Sequence, residues 1–311
     1  MRKEVMPSTH SYLTVSYAIR RADGLEVVVK TRDKAKGFRN AADENNWRRN
    51  TEFLLNLPRN SGVGRVYDVL EDAKAYYVVM EKIDGMDLFE TISAAGKQVP
   101  VQTAREIVRR LLSSLEHLHS CGCVHKDVKL ENVMVDLSST ARSGASTAAT
   151  AATPTSVKVI DFDTLEEWTY DSPKSKDVVG TDQYISQEAY AGRYSPLSDV
   201  FAAGVVAYKL LTGRFPFDDR TFDDEAGDNW VGSPKMEQIR GRLKSATVDF
   251  SYGVFREHPA ARDLVRSMLA YSEFERPDAT AALAHPWLQG SYDFDDCSMV
   301  VAQESALGEA R

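Results

Sequence analysis

The stretch Val124-His125-Lys126-Asp127-Val128-Lys129-Leu130-Glu131-Asn132-Val133-Met134-Val135 decides how the chain is read. Four polar side chains stand in the spacing H-x-D-x-K-x-x-N, directly ahead of an apolar run with the pattern of a strand. An isolated Asp-x-Lys is most simply a solvated turn, but the full string before a strand is a much rarer arrangement. Upstream, Ala104, Ile107, Val108, Leu111, Leu112, Leu115 and Leu118 recur at i, i+3, i+4 and i+7, which predicts an amphipathic helix that delivers the loop. Thr103-Ala104-Arg105-Glu106 has the form of a capping box and is expected to start that helix. Downstream, residues 138–156 are a low-complexity run of small residues that cannot bury a core, expected to be a disordered surface insertion. Val157-Lys158-Val159-Ile160-Asp161-Phe162-Asp163 then reads as a strand ending on carboxylates.

Composition narrows the classes. With 311 residues, 43% hydrophobic and 27% charged, the chain is globular and long enough for one large domain or two lobes. A net charge of −8 disfavours nucleic acid as a partner. Cys121, Cys123 and Cys297 make no metal array, and reduced thiols are expected. Met1-Arg2-Lys3-Glu4 leads into no apolar leader segment, and the longest apolar run, residues 200–208, is too short to span a bilayer. A soluble protein is expected, in the cytoplasm, with the nucleus as the alternative.

The first part of the chain is strand-rich. Leu25-Glu26-Val27-Val28-Val29-Lys30 follows the turn signal Asp23-Gly24, so a hairpin is predicted, with Lys30 ending its strand. Residues 38–57 read as a helix, and Tyr76-Tyr77-Val78-Val79-Met80-Glu81 as an apolar strand running into Lys82-Ile83-Asp84-Gly85-Met86-Asp87. At Asp87 a helix-capping role and a ligand-binding role fit the local sequence equally well.

Further motifs follow in order: Val179-Gly180-Thr181-Asp182-Gln183-Tyr184-Ile185-Ser186-Gln187-Glu188, an apolar helix over residues 195–213, Arg276-Pro277 and His285-Pro286-Trp287. Together with the loop at 124–135 they resemble the eukaryotic protein kinase domain, and in particular its calmodulin- and calcium-dependent serine/threonine group, over residues 12 to 289. The resemblance implies an α+β, bilobal fold with a β-rich N-lobe (1–84), a mainly helical C-lobe (85–289) and a C-terminal tail (290–311). It implies an ATP-dependent Ser/Thr protein kinase, weak or atypical. In that reading Asp127 orients the substrate hydroxyl, Lys129 and Lys30 neutralise phosphate charge, and Asn132 and Asp161 hold Mg²⁺, with Mn²⁺ as the alternative. Val15, Val28, Lys30, Met80, Glu81, Ile83, Asp87 and Met134 take the nucleotide positions. The implied partners are ATP and a protein substrate, with no nucleic acid or membrane; the acidic tail has no EF-hand calcium loop.

The chain departs from the family at several places. Ser8, His10 and Leu13 stand where the family has the glycines of its phosphate loop, and Asn50 where it has the glutamate that pairs with the lysine. Glu52 lies about 200° further around the helix. Asp161-Phe162-Asp163 replaces Asp-Phe-Gly, and Lys126 replaces an arginine, with Asp177 expected to supply it with a permanent carboxylate. Thr164, after Asp163, implies a threonine acceptor in preference to serine. Two other readings stay open at this point: a pseudokinase acting as scaffold or allosteric binding module, and a small-molecule kinase of the aminoglycoside and choline kinase type, whose metal motif I-D-F-D also resembles.

Overall fold

The computed structural model describes residues 3–6, 11–96, 99–137, 153–222 and 229–290. The alternating apolar segments of the first part form one antiparallel sheet in the order β1-β2-β3-β5-β4, made of β1 (Lys3–Met6), β2 (Leu13–Ile19), β3 (Glu26–Asp33), β4 (Val66–Glu71) and β5 (Ala75–Glu81). The predicted hairpin joins β2 to β3, and Gly24 supplies its positive φ of 75°. Lys30 does not end its strand. Thr31, Arg32 and Asp33 pair onward with Tyr77, Tyr76 and Ala75 of β5, and this ladder carries β3 three residues further. Side chains alternate across β3, so Val27 and Val29 are buried on one face while Val28 and Lys30 stand on the other. Val15 lies opposite Lys30 and Met80 opposite Val28, so all four share that face.

Between β3 and β4 runs α1 (Ala41–Asn56), shorter at both ends than the 38–57 expected. Asn40 caps it, its side chain accepting a hydrogen bond from the Asp43 N–H at 3.0 Å. Trp47 of α1 packs its ring 4.7 Å from that of Tyr76 in β5. The large sheet ends at Glu81, and the chain turns at Gly85, where an added Cβ would lie 2.2 Å from the Val135 carbonyl oxygen.

The rest is mainly helical: β6 (Met86–Asp87), α2 (Leu88–Ala94), α3 (Val101–Ser120), β7 (Cys123–Val124), β8 (Val133–Asp136), β9 (Ser156–Val159), β10 (Glu166–Glu167), α4 (Pro196–Thr212), α5 (Pro234–Ser245), α6 (Gly253–Glu257), α7 (Pro259–Met268), α8 (Ala279–Leu283) and α9 (Pro286–Gln289). Every apolar position predicted for α3 is buried, and α3 packs against α4, whose ends are set by the Ser195 N–H donating to the Ser198 hydroxyl at 3.2 Å and by the αL glycine Gly213. The expected start of α3 is corrected: Pro100 precedes its first turn, and Thr103 lies inside that turn. Glu106 is held by Arg109 and Arg110 instead of reaching back as a capping box requires.

The small-residue insertion is corrected at its end. Thr155 donates its N–H to the Asp136 carbonyl at 2.7 Å and Ser156 opens β9, which pairs with β8, whose other edge pairs with β6. Residues 138–152, like 291–311 of the tail, lie outside the described residues.

Candidate active site

The loop that opened the sequence reading leaves α3 through β7 and returns as β8, so its polar residues are pinned at both ends. Asp199 fixes its course. This carboxylate of α4 is buried and accepts from the backbone N–H of His125 at 2.8 Å, from that of Lys126 at 2.9 Å, and lies 3.0 Å from His119 Nε2. Burial, the largest influence, pushes its pKa up, but the bond from His119, the charges of His119 and His125 and the bond from the His125 N–H together outweigh it and hold it below the usual carboxylate range. His125 spans to the next segment, its Nε2 3.1 Å from the Ile160 carbonyl oxygen and its ring 5.5 Å from that of Phe162.

Among the described residues, two without glycine's freedom sit at positive φ, Lys126 at 69° and Asp161 at 61°. Such backbone costs on the order of 1–3 kcal/mol each and persists where surrounding contacts over-determine it. Here those contacts are Asp199 at Lys126 and Lys30 at Asp161.

The carboxylate of Asp127 is the hub of the site. Its Oδ2 lies 2.9 Å from Lys129 Nζ and accepts from Asn132 Nδ2 at 3.1 Å; its Oδ1 accepts from the Thr181 hydroxyl at 3.1 Å. Lys129 also donates to Thr181 Oγ1 at 3.1 Å, and Asn132 Nδ2 to the Asp127 carbonyl at 2.8 Å. With its Nδ2 so used, Asn132 keeps its amide oxygen as the acceptor able to ligate a hard cation. Thr181 is the partner that site-by-site reading of the sequence missed; its only signal was membership of the Gly180-Thr181 motif.

Lys30 crosses from the sheet to this region, its Nζ 2.7 Å from Asp161 Oδ1 and 2.6 Å from Asp163 Oδ2. Burial pulls the lysine's pKa down and the two carboxylates, Asp163 first, more than restore it, so it is raised overall. Burial likewise pushes Asp161 up, and Lys30 overcomes this to hold it low. Both groups are therefore charged at neutral pH.

The remaining nucleotide positions are partly as expected. Val15, Val28 and Met80 share the sheet face of Lys30, and Met134 is the ladder partner of Asp87. Glu81 turns its side chain away to Lys158 at 2.5 Å and to the Arg65 N–H, and its own N–H donates to the Arg65 carbonyl at 2.8 Å, so its side chain does not serve a ligand. Asp87 caps α2, accepting from the Glu90 N–H at 2.8 Å. Ile83 packs beside Gly64. Ser8 and His10 lie outside the described residues, and Leu13 opens β2 opposite Arg32.

The expected Lys126–Asp177 pair is corrected. Lys126 pairs with Glu166 of β10, and Asp177 receives Arg39 Nη1 at 3.0 Å. Glu188 and Arg276 pair at 2.6 and 2.9 Å with both side chains at 0% exposure.

A profile described as the protein kinase domain matches residues 11–288. The chain belongs to the protein kinase domain family. It is 30% identical over 315 residues to serine/threonine-protein kinase RAD53 of Saccharomyces cerevisiae, covering 95% of this chain and 34% of that one. It is 32% identical over 263 residues to CDPK-related kinase 4 of Arabidopsis thaliana, covering 85% of this chain and 40% of the relative. A solved structure of Rad53 1-466 in complex with AMP-PNP has the same fold, with a TM-score of 0.66 at 25% identity over 92% of this chain and 65% of that one. The chain shows the expected β-sheet N-lobe and helical C-lobe of that family, and RAD53 among its relatives is a serine/threonine-protein kinase. The chain spans between about a third and two fifths of the length of the curated relatives it matches.

Proposed function

We propose that the chain transfers the γ-phosphoryl group of ATP to serine or threonine hydroxyls of protein substrates. The observation that carries this is the cluster in which Lys129, Asn132 and Thr181 all meet at the carboxylate of Asp127. A carboxylate has about four lone-pair sites, so Asp127 can keep these partners and still accept a bond from an incoming hydroxyl, orienting its oxygen and taking its proton. Lys129, beside it, neutralises charge on the phosphoryl group in transit. Thr181 touches both and fixes their mutual position. Lys30 meets the phosphates from the sheet side, and AMP-PNP in the yeast neighbour supports ATP as the donor.

The donor set fits a divalent cation: the Asp161 carboxylate and the Asn132 amide oxygen are hard oxygen ligands, suited to Mg²⁺, with Mn²⁺ as the alternative. When bound, such an ion would supply charge neutralisation at the phosphates. Val15, Val28, Met80, Ile83 and Met134 supply apolar contacts for the base, and the backbone of residues 81–83 its hydrogen bonds.

Thr164 donates its hydroxyl to the His125 carbonyl at 2.8 Å, which holds a stiff β-branched side chain beside the catalytic loop. Threonine is therefore the expected acceptor. A positional peptide library with labelled ATP tests the function and the preference: label on threonine above serine, and none on tyrosine, is expected. Label on tyrosine, or none on any peptide, would overturn the reading, and a serine preference unchanged by Thr164→Phe would overturn the preference.

A further inference from the structure

Lys30 is a cation in a confined place, its side chain 13% exposed. A buried ammonium is tolerated only with an anion beside it. The element expected to bring that anion does not. Helix α1 lines the cleft with Trp47, Asn50, Thr51 and Leu54, so the side chain it directs toward Lys30 is a neutral amide. Glu52, two residues on, faces a different groove with Arg48, Leu70 and Glu71. Among the described residues the carboxylates that pair with Lys30 are Asp161 and Asp163.

These two acids are not equivalent. Asp161 is the residue read above as a ligand of the divalent cation, so its charge is shared once the site is loaded. Asp163 is two residues further along the same segment, one third exposed, and its ion pair is with Lys30 at 2.6 Å. An ammonium has three N–H donors. Asp161 and Asp163 take two of them, which leaves the third for a phosphate oxygen.

We propose that Asp163 is the positioning residue of Lys30, supplying from the segment after β9 the carboxylate that α1 lacks. This rests on the reading of Lys30 as the phosphate-neutralising cation. The replacement of glycine at 163 and the presence of asparagine at 50 are then one compensating pair of changes. The arrangement also ties Lys30 to the segment that carries Asp161, so the two charges stay in register whatever the orientation of α1. Asn50→Ala is accordingly expected to leave turnover unchanged.

The test uses the full chain with Asp163→Gly, Asn50→Glu and their combination, and separately Lys30→Met, Asp163→Asn and theirs. Misplacing a catalytic group by about an ångström lowers turnover by up to about 100-fold. Asp163→Gly is therefore expected to lower kcat about 10- to 100-fold with KM for ATP changed far less, and Asn50→Glu to restore turnover in that background but not to raise it in the wild type. A loss repaired by raised Mg²⁺ and not by Asn50→Glu would make Asp163 a metal ligand and overturn the proposal. The melting temperatures of the second set, taken without nucleotide or metal, read the pair independently of activity. The double variant is expected to fall by clearly less than the sum of the singles; additive shifts would overturn the pair. A wild type with no transfer activity would instead overturn the proposed function, leaving the melting cycle to decide the pair.

Discussion

Asp199 illustrates how a residue with no obvious chemical task can govern those that have one. Its carboxylate sits in a mainly apolar helix and orders two consecutive backbone N–H groups of the loop at residues 124–135. Because its folded pKa is depressed, the stability it contributes is fully present above the unfolded carboxylate value of about 3.9 and is lost as pH falls through the lower folded value. Asp199→Asn is expected to flatten the acid limb of a plot of melting temperature against pH; an unaltered limb would show that other carboxylates control it. The Glu188–Arg276 pair lies wholly out of solvent. Removing one partner strands the other charge, so Arg276→Met is expected to destabilise by about 3–5 kcal/mol in denaturant unfolding. Loss of less than about 1 kcal/mol would contradict a buried, paired charge. Asp127, Lys129 and Asn132 were legible because their chemistry fixes a short spacing along the chain. Asp199 and Thr181 were not, because the bonds that give them meaning join residues 74 and 54 positions apart.

Secondary elements were most legible where burial alone dictates the pattern. The α3 stripe was read residue by residue, and Leu111, at its centre and fully buried, is expected to cost about 2–5 kcal/mol when cut to alanine. Thermal or denaturant unfolding checks this. Element ends were less legible: β3 outruns Lys30 because a partner strand is there to pair with, and α3 begins before Thr103 because Glu106 is claimed by two arginines. The segment after β9 carries its own anions to the surrounding cations, Glu166 to Lys126 and Asp177 to Arg39, the latter joining it to the start of α1. With those positions already filled by carboxylates, phosphatase treatment of the purified protein is expected to leave its turnover unchanged. Abolished activity would mean that a phosphate organises the segment after all.

At the scale of the whole molecule, the site exists only where separate parts of the chain converge: Lys30 from the sheet, Asp127 and Asn132 from the loop after α3, Asp161 and Asp163 from the segment after β9, and Thr181 beyond it. The order of motifs made this convergence legible, since each motif marks one part of a known arrangement. What it left open was how Lys30 is held once α1 carries Asn50, because that depends on which carboxylates the fold brings within reach. The central claim is that Asp127 and its partners transfer phosphoryl groups. The most direct measurement is the single-turnover rate of transfer from γ-labelled ATP, with Mg²⁺ and again with Mn²⁺, for the wild type and Asp127→Asn. A fall in rate of about 100-fold or more in the variant, with nucleotide binding retained, is expected. Equal, background-level transfer by both proteins would contradict the account and leave the domain a binding module.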